Sequence, residues 1–394
     1  MTSTESTAAR AGGTMEAVVV RAVGDYGLTR APVPEPGPGE ALVRVSVTGL
    51  CRTDLKLVRH GHRDLELPRV PGEEVAGHIV ALGPAGPEAA APAQGGAAAS
   101  PAAAGASSSS QPGRRFLPGD RVYVYPGVWC GECPSCRRGA ENLCRAMRIM
   151  GFHRDGGFAE YVAVPLQSLI PVPAGLSDEE AVFAEPLSCC LNALELGRVG
   201  EGDALGIWGA GPAGTLLCRA GALLGATPYV VEPDGRRRDA VAGAPGTPAA
   251  AVFSAEPPAA VDVAIVAVGD AAAYEQALRV LAPRGRLVVF SGLLPAADEA
   301  FHLSLNSIHY HEHTVVGAYG CCFRHGEDAL ALLGSRRLRV DDLVSHRLPL
   351  ADLERGLDAV AGREGMKVHL YPGVPAGAPL CGTTAFPVTT EETT

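Results

Sequence analysis

A glycine-rich segment between a strand-like and a helix-like run places the strongest constraint on the fold. Gly209, Gly211 and Gly214 have the spacing G-x-G-x-x-G, with Pro212 and Ala213 between the last two glycines. The run ALGIW before them is typical of a buried strand, and AGTLLCRAGALLG after them is typical of a helix. In this context the first glycine allows a tight turn, the second admits a pyrophosphate and the third lets the helix pack on the strand. The segment therefore predicts a dinucleotide-binding turn in a parallel α/β sheet.

The surrounding sequence predicts two domains of an α/β protein. Residues 181–320 alternate apolar runs such as VDVAIVAVG and RLVVF with helix-like stretches, which predicts a doubly wound parallel sheet. Residues 15–180 contain short strand-like runs separated by Pro- and Gly-rich turns, so we expect a β-rich domain. Residues 321–372 are expected to return to that domain. The low-complexity stretch 84–115 predicts a surface insertion without a catalytic role, and 1–14 and 373–394 are expected to be disordered tails.

Composition excludes several functional classes. The chain has 394 residues and a net charge of −10, which argues against nucleic acid as its main partner. It contains no run of about 18 apolar residues, so no membrane span is expected. Its first residues lack the apolar segment of a secretion signal, and its eleven cysteines are partly clustered, which favours metal binding in a reducing cytoplasm.

Four cysteines predict a structural metal site. Cys130, Cys133, Cys136 and Cys144 have the spacing C-x2-C-x2-C-x7-C. Four thiolates can close a tetrahedral zinc site, and the surrounding segment has almost no apolar residues with which to fold by itself. An iron–sulfur cluster is the competing interpretation.

An acidic residue predicts the nucleotide preference. Glu232 ends the run PYVVE, 18 residues after Gly214, where a carboxylate accepts hydrogen bonds from the ribose of NAD and repels the 2′-phosphate of NADP. NAD is therefore favoured over NADP. The adjacent run of arginines weakens this preference, and we expect one of them, Arg237, to contact the cofactor.

Several motifs together show a family resemblance. Their order along the chain is Cys51-Arg52-Thr53-Asp54, Pro71-Gly72-Glu73-Glu74-Val75-Ala76-Gly77, the four-cysteine segment, Gly119-Asp120-Arg121-Val122, Asp155-Gly156-Gly157-Phe158-Ala159-Glu160-Tyr161 and Glu185-Pro186-Leu187. With the glycine-rich turn, this series resembles the zinc-containing medium-chain alcohol dehydrogenases over residues 15–372, apart from the insertion. The EPL motif and the loop NSIHYHEHTVVGAYG resemble the polyol, sorbitol-type and threonine-type branch.

The resemblance implies a fold and a catalytic metal site. It implies a GroES-like β domain joined to a Rossmann domain, with the active site between them. Cys51 matches the thiolate ligand of a catalytic zinc, Glu74 the acid beside the usual histidine ligand, and Glu185 the acid that completes the metal sphere. Thr53 matches the hydroxyl that relays the substrate proton. Asp54 is expected to orient the metal ligands without binding the metal itself.

Two positions depart from the family pattern. Glu73 stands where the family has a histidine ligand, so the metal set becomes Cys51, Glu73, Glu74 and Glu185, a more negative site that makes the metal a poorer Lewis acid. Lys56 stands where relatives often extend the proton relay with a histidine. His62 remains open as a substitute ligand, whereas His78 is expected to point away from the active site.

These inferences lead to one main functional hypothesis and two rivals. The main hypothesis is a zinc- and NAD-dependent dehydrogenase that interconverts a small polar secondary alcohol and its ketone, as a homodimer or homotetramer. The rivals are a zinc-independent NAD(P)H reductase and a catalytically silent nucleotide-binding scaffold. Three further predictions are secondary: His309, His311 and His313 share a face of a strand, His153 reaches the substrate, and the cysteines outside the motifs are small buried residues.

Overall fold

The computed structural model describes residues 13–84, 115–378 and 380. The predicted insertion 84–115 and the predicted tails 1–14 and 373–394 lie largely outside the described residues. Thr14, the last residue of the predicted N-terminal tail, begins the first strand.

The first part of the chain is rich in short strands, as predicted. Alternating apolar residues in these strands place their side chains in two apolar clusters, one on each face: Leu42 of β3 belongs to one and Val43 to the other. The strands are β1 (Thr14–Ala22), β2 (Asp25–Pro32), β3 (Glu40–Leu50), β4 (Glu74–Leu82), β5 (Arg121–Val124), β6 (Gly127–Val128), β7 (Arg148–Ile149), β8 (Tyr161–Pro165) and β9 (Leu169–Pro171). The helices are α1 (Arg52–His60), α2 (Pro134–Arg137) and α3 (Asp178–Ala181).

The second part alternates helices and strands. Its elements are α4 (Ala184–Leu196), β10 (Ala204–Trp208), α5 (Pro212–Leu223), β11 (Thr227–Val231), α6 (Gly235–Ala242), β12 (Val252–Ser254), β13 (Val261–Val266), α7 (Ala271–Arg279), β14 (Leu281–Val289), α8 (Pro295–Ala300), α9 (Leu305–His311) and β15 (Thr314–Gly317). The last described elements are α10 (Phe323–Gly334), β16 (Val344–Pro349), α11 (Leu353–Ala361) and β17 (Lys367–Tyr371).

Two sheets organise the molecule. One has the order β12-β11-β10-β13-β14-β15, and all of its pairings are parallel. Neighbouring residues of its central strand β10, Ile207 and Trp208, belong to different apolar clusters, so both faces of the sheet are buried. The other sheet has the order β16-β17-β3-β4-β5-β9, with β8 also paired to β3. The predicted α/β architecture is thus confirmed, and β16 and β17 return the chain to the first sheet.

The prediction that three histidines alternate along a strand was wrong. His309 and His311 lie in α9, which the Ser304 hydroxyl caps by accepting a hydrogen bond from the amide of Ser307 at 3.2 Å. The helix ends at Glu312, whose φ of 54° is left-handed, and His313 precedes β15. The serine cap overrode the β-like alternation of the histidines, because it satisfies an amide that a strand would have paired differently.

Candidate active site

Helix α1 positions the first group of predicted site residues. Cys51 is its N-cap: the Cys51 sulfur accepts the amide of Asp54 at 3.4 Å, and the Asp54 carboxylate accepts the amide of Cys51 at 2.9 Å. This reciprocal capping box anchors both residues at the end of β3. Thr53, in the first turn, is exposed, so its hydroxyl is accessible to a ligand at the helix N-terminus.

Glu74 and Lys367 form a buried ion pair in the sheet that precedes this helix. Glu74 begins β4 and is 1 % exposed, and its Oε1 contacts the ammonium group of Lys367 at the start of β17. The pair lies over Gly49 of β3, where an added Cβ would stand 1.8 Å from Glu74 Oε2 and 3.0 Å from Lys367 Cε. Gly49 is therefore required for this pair to exist. Among the described residues, the second carboxylate oxygen of Glu74 is buried and has no hydrogen-bond partner.

Glu73 and Glu185 approach this group from two different parts of the chain. The backbone before Glu73 is held by the amide of Gly157, which donates to the carbonyl of Gly72 at 2.9 Å. Glu185 lies in the first turn of α4, and its Oε1 accepts the thiol of Cys189 at 3.6 Å. Burial raises the pKa of Glu73, and the negative charge of Glu185 raises it further.

The acids of this group raise one another's pKa values. Burial, then the negative charge of Glu185, raises the pKa of Glu73 well above its usual range. Burial and the charge of Glu74 raise the pKa of Glu185 to about 8, and burial raises the pKa of Asp54 to about 6. Burial together with the charge of Asp54 also raises the pKa of the Cys51 thiol. Such mutual shifts are typical of anionic groups gathered without enough positive charge.

The donor chemistry of this group suits a cation, although its atoms are not yet gathered around one point. Cys51, Glu73, Glu74 and Glu185 offer one sulfur and several carboxylate oxygens, including the unpartnered oxygen of Glu74. Within the described residues, however, only the four clustered cysteines bring three or more such donor atoms within 4.8 Å of one another. Binding a metal here therefore requires side-chain rotation, which the partial exposure of Glu73 and Glu185 allows.

The four cysteines of the predicted structural site lie close enough together to hold one metal ion. The sulfurs of Cys130, Cys133, Cys136 and Cys144 all lie within 4.8 Å of one another. Hydrogen bonds from backbone amides, chiefly that of Cys136, lower the pKa of the Cys133 thiol to about 6, which favours the thiolate that binds zinc. The arrangement matches a closed structural zinc site and has no open position for substrate.

The structural metal lobe is attached to the end of the parallel domain. The side-chain amide of Asn142 donates to the carbonyl of Tyr319 at 2.7 Å, and the amide of Phe323 donates to Glu141 at 2.8 Å. The thiol of Cys322 donates to the carbonyl of Gly139 at 3.3 Å. Cys322 is thus a contact between lobe and domain as well as a small buried residue.

The glycine-rich turn has the geometry that the motif predicts. Gly209 has a φ of 103°, and an added Cβ at Gly214 would stand 1.8 Å from the carbonyl oxygen of Gly209. Around Gly211, by contrast, an added Cβ would meet nothing within 4 Å, so the backbone there is open to a ligand. Pro212 and Ala213 begin α5, whose N-terminus has no capping side chain. Its free amides suit a pyrophosphate.

Glu232, predicted to select the nucleotide, and Arg237, predicted to contact the cofactor, both make protein contacts. Glu232 accepts the amide of Ala210, in the glycine-rich turn, at 2.9 Å and the amide of Asp234 at 3.1 Å. Arg237 contacts the carbonyl oxygen of Arg363 and donates to that of Gly365 at 3.3 Å, bridging α6 to the segment after α11. Glu232 is therefore beside the predicted phosphate turn, whereas Arg237 joins the two domains.

The other predicted histidines are held outside the acid group. The Nδ1 atom of His62 accepts the amide of Asp64 at 3.2 Å, and its ring packs edge-on against Phe152. His78 lies 3.1 Å from the hydroxyl of Ser46, and the Nδ1 of His153 accepts the amide of Ile149 at 3.0 Å.

Sequence reasoning missed three residues that shape this region. Lys367, one of two lysines in the chain, pairs with Glu74. Cys189, one helical turn after Glu185, was expected to be only a small buried residue. Gly49 had no sequence signal, because its role depends on two side chains from distant strands.

The fold and this group of residues define a class: a two-domain metallo-dehydrogenase with a dinucleotide-binding turn. Comparison with known families agrees. Residues 37–174 match the alcohol dehydrogenase GroES-like domain, and residues 212–335 match the zinc-binding dehydrogenase domain.

Individual relatives cover most of the chain. It is 31 % identical to an erythritol/L-threitol dehydrogenase of Mycolicibacterium smegmatis, over 91 % of this chain and 98 % of that one. It is 28 % identical to an L-threonine 3-dehydrogenase of Coxiella burnetii, over 87 % of this chain and 95 % of that one. The structure is similar to that of a zinc-binding dehydrogenase from Sinorhizobium meliloti solved with NADP, with a TM-score of 0.78, 29 % identity, and coverage of 91 % and 100 % of the two chains.

The chain belongs to the zinc-containing alcohol dehydrogenase family, in the branch that is similar to polyol and threonine dehydrogenases. It is an oxidoreductase that uses a nicotinamide cofactor. In the described ranges, no helix is both long and apolar enough to cross a membrane.

Proposed function

We propose that the protein oxidises a small polar secondary alcohol, such as a polyol, cyclitol or amino alcohol, to its ketone, or runs the reverse reaction. The observation that carries this proposal is the placement of a thiol and carboxylates in one region: Glu74 of β4 pairs with Gly49 of β3, two residues before Cys51, and α4, which carries Glu185, packs against β4. The relatives named above, which act on tetritols and threonine, support a polar substrate.

These residues would hold a catalytic zinc. When bound there, zinc polarises the alcohol oxygen and favours loss of its proton. Cys51 would supply the sulfur ligand, and Glu73, Glu74 and Glu185 would supply oxygens. Thr53, which is exposed on the first turn of α1, would accept the hydroxyl proton of the substrate and pass it outward.

The glycine-rich turn would hold the nicotinamide cofactor. The bound cofactor accepts or delivers the hydride. The open backbone at Gly211 and the uncapped N-terminus of α5 would bind its pyrophosphate. The carboxylate of Glu232 supports NAD over NADP, because it would repel a 2′-phosphate.

A second candidate function is a reductase that works without catalytic zinc. It is favoured by one observation: the donor atoms of the acid group are not gathered as the four cysteine sulfurs are. The presence of Glu73 at the position of the family's usual histidine ligand also favours a reductase without catalytic zinc.

We further infer a homo-oligomer. Strand β15 is an edge strand of the parallel sheet, and its Val315 is exposed, as are Leu305 and Tyr310 of the preceding helix α9. An exposed apolar edge strand favours pairing with another chain.

Zinc per chain and turnover test the proposal together. We expect elemental mass spectrometry to find two zinc ions per chain in the wild type and one in Cys51→Ala, with Cys218→Ala as a control that keeps both. NADH formation with a panel of polyols and amino alcohols should then be lost in Cys51→Ala. One zinc in both proteins, with retained ketone or enone reduction, would support the zinc-free reductase instead.

A further inference from the structure

We propose that Glu73 converts the catalytic metal position into a carboxylate-rich site that binds hard divalent cations, with Mn²⁺ as the representative, nearly as well as it binds Zn²⁺. The inference rests on the proposed function, because it concerns the metal of the same site. It assigns to Glu73 the role of setting which metal is taken up.

The donor set is the first argument. Cys51 supplies one soft sulfur, and the remaining candidate donors, Glu73, Glu74 and Glu185, are all carboxylates. Imidazole and thiolate favour zinc, whereas carboxylate oxygens suit Mg²⁺ and Mn²⁺. His62 and His78, the histidines nearest in sequence, are hydrogen-bonded elsewhere and do not restore the missing nitrogen.

The unpartnered oxygen of Glu74 is the second argument. Its side chain is 1 % exposed, and Oε1 is bound by Lys367, yet Oε2 has no partner. A buried carboxylate oxygen without a partner is unfavourable. A cation beside Oε2 would satisfy it without disturbing the ion pair on Oε1.

The charge balance is the third argument. Glu74 and Asp54 are buried, Glu73 and Glu185 are half-buried, and among these side chains Lys367 supplies a positive charge by pairing with Glu74. Repulsion among several buried carboxylates is relieved by a dication. A histidine at position 73 would have removed one of these negative charges, so the extra carboxylate increases the purely electrostatic part of metal binding. This electrostatic part of the binding free energy is similar for Zn²⁺ and Mn²⁺, because both carry two positive charges. The extra carboxylate therefore reduces the difference in affinity between the two metals.

The backbone at position 73 makes a clean substitution test feasible. Gly72 accepts the amide of Gly157, and its φ of 103° places it against Phe158, where an added Cβ would stand 2.6 Å from the ring. These contacts hold the chain before Glu73, and the pairing of Glu74 with Gly49 of β3 holds it after Glu73, in both cases independently of the Glu73 side chain. The Glu73→His variant should therefore carry its imidazole on an unchanged backbone, at the position from which the Glu73 carboxylate extends.

The experiment measures metal selectivity directly. Protein with its structural zinc retained and the second position emptied by a mild chelator is titrated with Mn²⁺ and Zn²⁺ separately, and bound metal is counted by elemental mass spectrometry. Variants are Glu73→His, Glu73→Gln, and Glu66→His as a matched change of an exposed carboxylate outside the site. Thermal unfolding of each variant checks that it is folded, and the absorption spectrum of bound Co²⁺ reports the ligands.

We expect Glu73→His to raise the ratio of the Mn²⁺ to the Zn²⁺ dissociation constant at least about tenfold. Glu73→Gln should weaken Mn²⁺ more than Zn²⁺, and Glu66→His should change neither. A second metal that binds with an unchanged ratio in folded Glu73→His would overturn this inference and leave the proposed function standing. Failure of any metal to bind beyond the structural zinc would instead overturn both.

Discussion

At the residue scale, the Glu74–Lys367 pair shows how a buried charge is tolerated. The two side chains are 1 % and 3 % exposed and come from strands that are distant in sequence. Removing one partner of a buried pair leaves the other charge uncompensated, and this costs more than the pair itself contributes.

Lys367→Met should therefore lower the free energy of unfolding by about 3–5 kcal/mol. The double variant Glu74→Gln/Lys367→Met should recover a large part of that loss, because no buried charge is left alone. Urea denaturation of the wild type, Lys367→Met, Glu74→Gln and the double variant measures both effects. A single variant as stable as the wild type would show that Glu74 finds another partner.

His369 is a second buried group with a distinct consequence. It is fully buried in β17 beside the ring of Phe183, and neither ring nitrogen has a hydrogen-bond partner within the part of the chain that the structure describes. Burial, followed by the positive charge of Lys367, lowers its pKa to about 3, while Glu179 acts in the opposite direction and Arg347 in the same one.

Because the folded state keeps His369 neutral, the unfolded state takes up a proton below the ordinary pKa of 6.5 and the folded state does not. This residue's contribution should thus destabilise the protein as the pH falls from 6.5 towards 3, by about 1.4 kcal/mol per pH unit. His369→Phe should lose stability less steeply than the wild type over this range, as measured by urea denaturation at several pH values. The exposed His60→Phe serves as control, and parallel pH curves for wild type and His369→Phe would contradict the prediction.

At the element scale, the turn between β10 and α5 contains glycines that are needed for two different reasons. Gly214 has no room for a side chain, because the carbonyl of Gly209 occupies the space. Gly211 has room in the protein, so its lack of a side chain matters only when a ligand approaches.

The two positions should respond differently to alanine. Gly214→Ala should lower the free energy of unfolding by about 1–3 kcal/mol, as overpacking does. Gly211→Ala should leave stability within about 0.5 kcal/mol but raise the dissociation constant of NADH at least about tenfold. Thermal unfolding and NADH fluorescence titration measure the two effects. Unchanged NADH affinity in Gly211→Ala would remove this turn from the cofactor site.

At the scale of the whole molecule, arginine side chains join the parallel domain to the returning segment. Arg219 of α5 forms a buried ion pair with Asp342 in the returning segment, with a nearest distance of 2.5 Å. Arg237 of α6 binds the backbone carbonyls of Arg363 and Gly365. The cofactor-binding part of the chain is thereby linked to the elements that carry Lys367.

Arg237 allows the predicted cofactor role to be separated from this structural one. If it contacts the cofactor, Arg237→Met should raise the dissociation constant of NADH about tenfold, in line with the loss of one charged hydrogen bond. Arg236→Met, at the neighbouring exposed position, should have little effect. A loss of thermal stability with unchanged NADH affinity would show that Arg237 serves only to join the domains.

Local patterns were sufficient for a large part of this protein. The glycine spacing at Gly209–Gly214, the four clustered cysteines and the apolar runs of the parallel sheet depend on neighbours within a few residues, so the sequence alone predicted the α/β architecture, the dinucleotide turn and the four-cysteine site. The same local reasoning misjudged α9, where a serine cap outweighed an alternating pattern of histidines.

The tertiary structure decided what depends on side chains from distant strands. Only folding brings Lys367 to Glu74 over Gly49, places Glu185 of α4 against Glu73 of the first domain, and engages Arg237 with the returning segment. The physical reason is that burial and charge are properties of the assembled environment. A carboxylate in the sequence becomes a buried, unpartnered or ion-paired group only when the elements around it have been packed together.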